Sequence, residues 1–92
     1  MQLYVEFRIN KPQVDVIECS VEGVSEQLSD AIIELLRGVL IHAFMSAIND
    51  AAFYAAAKAD IQEILNVDPR PAVAIRHEND GIHVIINNIS PG

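Results

Sequence analysis

The chain has 92 residues and a mass of 10.1 kDa, is 51% hydrophobic and 21% charged, and carries a net charge of −7 with one cysteine. That length suits one domain near the lower limit of what a single core stabilises unaided, and the apolar content excludes intrinsic disorder. One cysteine makes neither an intramolecular disulfide nor a CxxC metal or redox motif, and six Lys and Arg scattered through an acidic chain exclude direct binding to a nucleic-acid backbone.

The first residues, Met1 to Glu6, have no cationic start and no apolar stretch of signal-peptide type. The expected setting is therefore cytoplasmic, with no membrane partner. From Leu3 to Ile9 the pattern alternates. Leu3, Val5, Phe7 and Ile9 share one face, and Tyr4, Glu6 and Arg8 share the other, the period-2 signature of a half-buried strand. A turn is expected at Asn10-Lys11-Pro12-Gln13, where proline presets φ. A second strand follows from Val14 to Val21, but its phase slips, because Val14 and Val16 are out of step with Ile17, Cys19 and Val21. A β-bulge near Val16-Ile17 restores a continuous apolar face. It sets Ile9 opposite Val14, Phe7 opposite Val16, Val5 opposite Cys19 and Leu3 opposite Val21. The same register pairs Arg8 with Asp15 and sets Glu6 against Glu18, a mild cost. Cys19 then reads as a small hydrophobe on the core face.

A helical pattern begins near Ser25 or Ser29, either of which can cap it, with Glu26 and Asp30 favoured at the positive end of the dipole. It continues to about Asn66, before Asp68-Pro69-Arg70-Pro71 stops it. Unbroken, residues 29–66 would extend roughly 57 Å, whereas a domain of this size has a radius of gyration of about 12 Å. A break at Asn49-Asp50, both good N-caps, is the expected resolution; the other is one long helix whose protruding part a partner chain covers. Within this stretch, Ala31–Ile48 is apolar nearly all round, interrupted only by Glu34, Arg37, Gly38, His42 and Ser46. A helix of that kind is buried on most sides, and a small domain cannot cover all of them. An alanine ladder, Ala43-Ala47-Ala51-Ala55-Ala59, adds small residues at four-residue spacing. These features predict a homo-oligomer, a dimer in the simplest case, with Leu36, Leu40, Ala43, Phe44, Ala47, Ala51 and Ala55 at its self-association surface.

The chain closes with a hairpin, Ala72–His77 and Ile82–Ile89 around the turn signal Glu78-Asn79-Asp80-Gly81. A three-residue loop would set His77 opposite His83, close enough to share a metal. A two- or four-residue loop sets His77 opposite Ile82 and His83 opposite Arg76. No nucleophile elbow, P-loop, dinucleotide fingerprint or HExxH pair occurs, so neither a catalytic site nor a cofactor is expected. His42 reads as a core histidine or as part of a narrow polar stripe.

Charge is segregated as well. Between Pro12 and Leu36 lie Asp15, Glu18, Glu22, Glu26, Asp30 and Glu34 and no Lys or Arg. Such a run solvates an apolar chain, and it would also steer association with a basic protein surface. The fold expected is α+β, two β-hairpins packed against a long or broken central helix in the order ββ-α(α)-ββ. The function expected is a non-enzymatic, homo-oligomeric structural or interaction module. The alternative is an acidic inhibitor or nucleic-acid mimic, of the kind mobile elements make, that binds a basic protein.

Overall fold

Alternation and capping build six elements in a computed structural model that describes residues 2–10, 13–67 and 70–88. Two strands, β1 (Gln2–Asn10) and β2 (Gln13–Glu22), lead to two helices, α1 (Glu26–Ser46) and α2 (Asp50–Ile64). Two further strands follow, β3 (Ala72–Glu78) and β4 (Gly81–Asn87). The fold is α+β: one antiparallel sheet in the order β2-β1-β4-β3, with the helices on one face. The turn at Lys11-Pro12, the stop at Asp68-Pro69 and the strand end at Ile89 lie outside the described residues.

The first hairpin has the register that the phase slip demands. Phe7 pairs with Val16, Val5 with Cys19 and Leu3 with Val21, and the shift falls between Glu6 and Phe7, leaving Ile17 as the extra residue. Arg8 opposes Asp15 and reaches it at 3.3 Å. In the second hairpin the short loop prevails: Arg76 pairs with His83 and His77 with Ile82, so the two histidines do not face each other. Gly81 makes this turn with φ 129°, a region that side chains avoid. A Cβ there would also collide with the carbonyl oxygen of Ile9 on the neighbouring strand.

The helical stretch breaks where its polar caps predict. Ser25 accepts a hydrogen bond from the Leu28 amide at 3.2 Å and starts α1. Asn49 accepts one from the Ala52 amide at 2.8 Å and starts α2. The break folds the stretch back on itself, and the chain has a radius of gyration of 12.6 Å. Phe44 and Phe53 meet edge to face across the bend, 5.5 Å between centroids, a favoured aromatic geometry.

The core lies between helices and sheet. Leu3, Val5, Phe7 and Ile9 of β1, with Val84 and Ile86 of β4, meet Leu36, Leu40 and Ala43 of α1 and Phe53, Ala57 and Ile61 of α2. Tyr54 donates to the Val73 carbonyl and Gln62 to the Pro71 carbonyl, both at 3.0 Å. His77 lies 3.2 Å from Asp50. These contacts tie α2 to β3.

Gly81→Ala combines a disfavoured φ with a backbone collision and should cost at least about 2 kcal/mol, read as a lower urea midpoint at unchanged slope. Asn49→Ala loses a cap and should cost about 1 kcal/mol by the same assay. A Gly81→Ala variant as stable as the parent would contradict the packing of the second hairpin on β1.

Candidate interaction surfaces

Three surfaces hold the residues that the sequence singles out. The first is the sheet face turned away from the helices. Antiparallel pairing lines up Asp15, Arg8, His83 and Arg76 in one row across all four strands. Here His83 is buried together with Glu6. Its Nδ1 lies 2.8 Å from Glu6 Oε2 and its Nε2 lies 2.8 Å from Asp80 Oδ1, so the charged ring donates to a carboxylate at each end. Those two bonds, to Glu6 first and Asp80 second, hold the His83 pKa above its usual value. The bond from His83 is the main cause of the lowered pKa of Asp80. Arg8 adds contacts to Asp15 and Asp80, Arg76 to Glu6 and Glu78, and the Tyr4 hydroxyl donates to Glu6.

Every cation of this row is thus matched by carboxylates. With the ring protonated, both imidazole nitrogens donate and no lone pair is left for a base or a metal. Among the described residues, no three His, Cys, Asp or Glu side chains are grouped to hold a metal ion. The cluster therefore fastens the four strands together.

The second surface is the outer side of the helix pair. Leu36, Leu40 and Ala43, expected at a self-association surface, are instead the contact of α1 with its own sheet. The all-round apolar pattern carries no phase, so it does not say which side faces in. Phe44 and Ala47 are half-buried at the bend, and Ala51 and Ala55 are exposed on α2. What α1 turns outward is a different row, Leu28, Ala31, Leu35, Gly38, His42 and Met45, all exposed. Leu35 is 51% and Met45 81% exposed, and Ile48 in the bend is 91% exposed. The row continues into a groove of about 400 Å³ between the helices. Leu35, Gly38, Val39 and Ile64 line it together with His42, Glu34, Asp60 and Glu63. His42 is accordingly a surface residue rather than a core one.

The third surface is β2, the edge nearest the acidic run. Asp15, Glu18 and Glu22 pair with Arg8, Glu6 and Gln2 and so lie on the open sheet face. Glu26, Asp30 and Glu34 belong to α1 in the opposite layer and are exposed. The acids of the run are divided between two layers, and within them Asp15 is held by Arg8 and Glu34 by Arg37. Cys19 lies on the helix side, as its pairing with Val5 requires, yet it is exposed rather than buried.

No helix among the described residues is long and apolar enough to cross a membrane. Comparison with protein-family models, curated proteins and solved structures finds no match.

The His83 bridge sets the pH dependence of stability. A pKa raised on folding adds stability that is complete below the unfolded value, about 6.5, and is lost as pH rises through the folded one. A lowered carboxylate pKa adds stability that is complete above the unfolded value, about 3.9, and is lost as pH falls through the folded one. Denaturation midpoints should therefore peak between these limits and decline on both sides. His83→Gln should remove the decline that begins near neutral pH; an identical slope there in the variant would show that the bridge is not its cause.

Proposed function

We propose that the protein is a non-enzymatic interaction module that self-associates through the outer side of its helix pair, with a dimer as the simplest assembly. The observation that supports this most is the exposed row on α1. Leu28, Ala31, Leu35, Gly38, His42 and Met45 recur at alternating steps of three and four residues, the spacing of a helix-packing seam. Isolated exposed hydrophobes are ordinary, but a continuous row is the mark of an interaction site.

Gly38 adds an independent argument. A glycine inside a helix costs about 1 kcal/mol relative to alanine. A Cβ at Gly38 would meet nothing within 4 Å, so the chain's own packing does not call for the gap. A second helix backbone approaching from outside does. The small residues exposed on α2, Ala51, Ala55 and Ala59, suit the same close approach.

Charge sets the limit of the association. Glu34, Asp60 and Glu63 rim the groove, and no Lys or Arg lines it. Two copies meeting here bring like charges together, so added salt should strengthen their contact.

Sedimentation equilibrium tests the reading. The parent chain should reach twice its 10.1 kDa mass, more completely at higher ionic strength. Leu35→Glu with Met45→Glu should return it to the monomer without loss of helix. Gly38→Ala should stabilise the monomer by about 0.5–1 kcal/mol, read as a higher urea midpoint, while weakening association. A parent chain that stays at 10.1 kDa at every concentration and salt level would overturn the proposal.

A further inference from the structure

The two edges of the sheet are finished differently. At β3 the side chains of Tyr54 and Gln62 hydrogen-bond the backbone at Val73 and Pro71, and Asp50 meets His77, so α2 is bonded to that edge. At β2, among the described residues, no side chain hydrogen-bonds the backbone of the strand. An edge strand of this kind presents a row of unpaired amides and carbonyls. Beyond the buried Val14, several of its side chains are also uncovered. Val16 is 39% and Ile17 42% exposed, and Cys19 is exposed on the helix side. On the other side Glu18 and Glu22 are exposed and form no ion pair among the described residues.

We infer that the β2 edge, Val16 to Glu22, takes up an extended segment of a basic partner protein as a fifth strand. The segment would alternate apolar and cationic residues. Strand addition supplies affinity through the main chain and selectivity through alternate side chains. Apolar residues of the incoming strand would lie beside Val16 and Cys19 on the helix side, and Lys or Arg beside Glu18 and Glu22 on the open side, where opposite charges on neighbouring strands attract.

Charge also argues against a second copy as the occupant. β2 carries Asp15, Glu18 and Glu22 and no Lys or Arg. Any pairing of two β2 edges that keeps both helix layers on one side places the Glu18 and Glu22 carboxylates of both copies on the same face, which is unfavourable. The edge is thus biased away from its own copy and toward a cationic strand, independently of what happens on the helix side.

The test uses the full chain, labelled with ¹⁵N, and a short synthetic peptide of alternating lysine and valine, with a glutamate-valine peptide as control. The lysine peptide should shift amide signals along Val16–Glu22 and protect amides there from hydrogen exchange, leaving the α1 outer row unaffected. Glu18→Lys with Glu22→Lys, two exposed substitutions that spare the core, should weaken binding about tenfold. Three results would each overturn the inference: equal binding of the two peptides, shifts centred on the helix layer or absent, and protection of the β2 edge that grows with protein concentration and no peptide, which would make a second copy the occupant.

Discussion

The apolar face of β1 meets the inner sides of both helices, and this contact organises the molecule. Leu3, Val5 and Phe7 are fully buried under Leu36 and Leu40 of α1 and Ala57 and Ile61 of α2. Because β1 is paired on both sides, its alternation sets the face that every other strand must turn inward. The same alternation sends Glu6 and Arg8 to the opposite side, where the charged row assembles. A helix pair packed on this face has one side left over, and a sheet of four strands has two edges. What the chain covers and what it leaves uncovered follow from those facts.

Tyr54, Gln62 and Asp50 tie α2 to β3, while α1 packs beside β2. Along β2 Val14 is buried, whereas Val16, Ile17 and Cys19 are exposed. Meanwhile the bend at Ala47-Ile48-Asn49 doubles the helical stretch back, so that an outer side of α1 rich in apolar residues is left next to the alanine face of α2. The apolar excess in the composition is thus not all core: part of it lies at the surface, on the outer side of the helices and along β2.

Much of the fold was legible in the sequence because the relevant forces are local. The phase slip between Val16 and Ile17 required a bulge, and the bulge set every pair of the first hairpin, including Arg8 with Asp15. Asn49 announced the helix break because its side chain can satisfy an amide that the helix start leaves free. The bridge from Glu6 through His83 to Asp80 was not legible, since it depends on β1 lying beside β4, a pairing of distant segments that no local pattern states. The inward side of α1 was hidden for the opposite reason. With apolar residues all round, Leu36 and Leu35 looked alike, and only the sheet distinguishes them. Cys19 was placed on the correct face by its register, but register alone does not say how far that face is covered at the edge of the sheet.

The central claim is that the row from Leu28 to Met45 is exposed in one copy and covered in an assembly of copies. Isotope-filtered NMR on a sample mixing ¹³C-labelled and unlabelled chains addresses it most directly, because only contacts between copies give signals. Cross-peaks between copies should arise from the methyl groups of Leu28, Leu35, Met45 and Ile48, with none from the buried Leu36 and Leu40. Cross-peaks confined to the sheet face or to β2, or none at any concentration, would contradict the account.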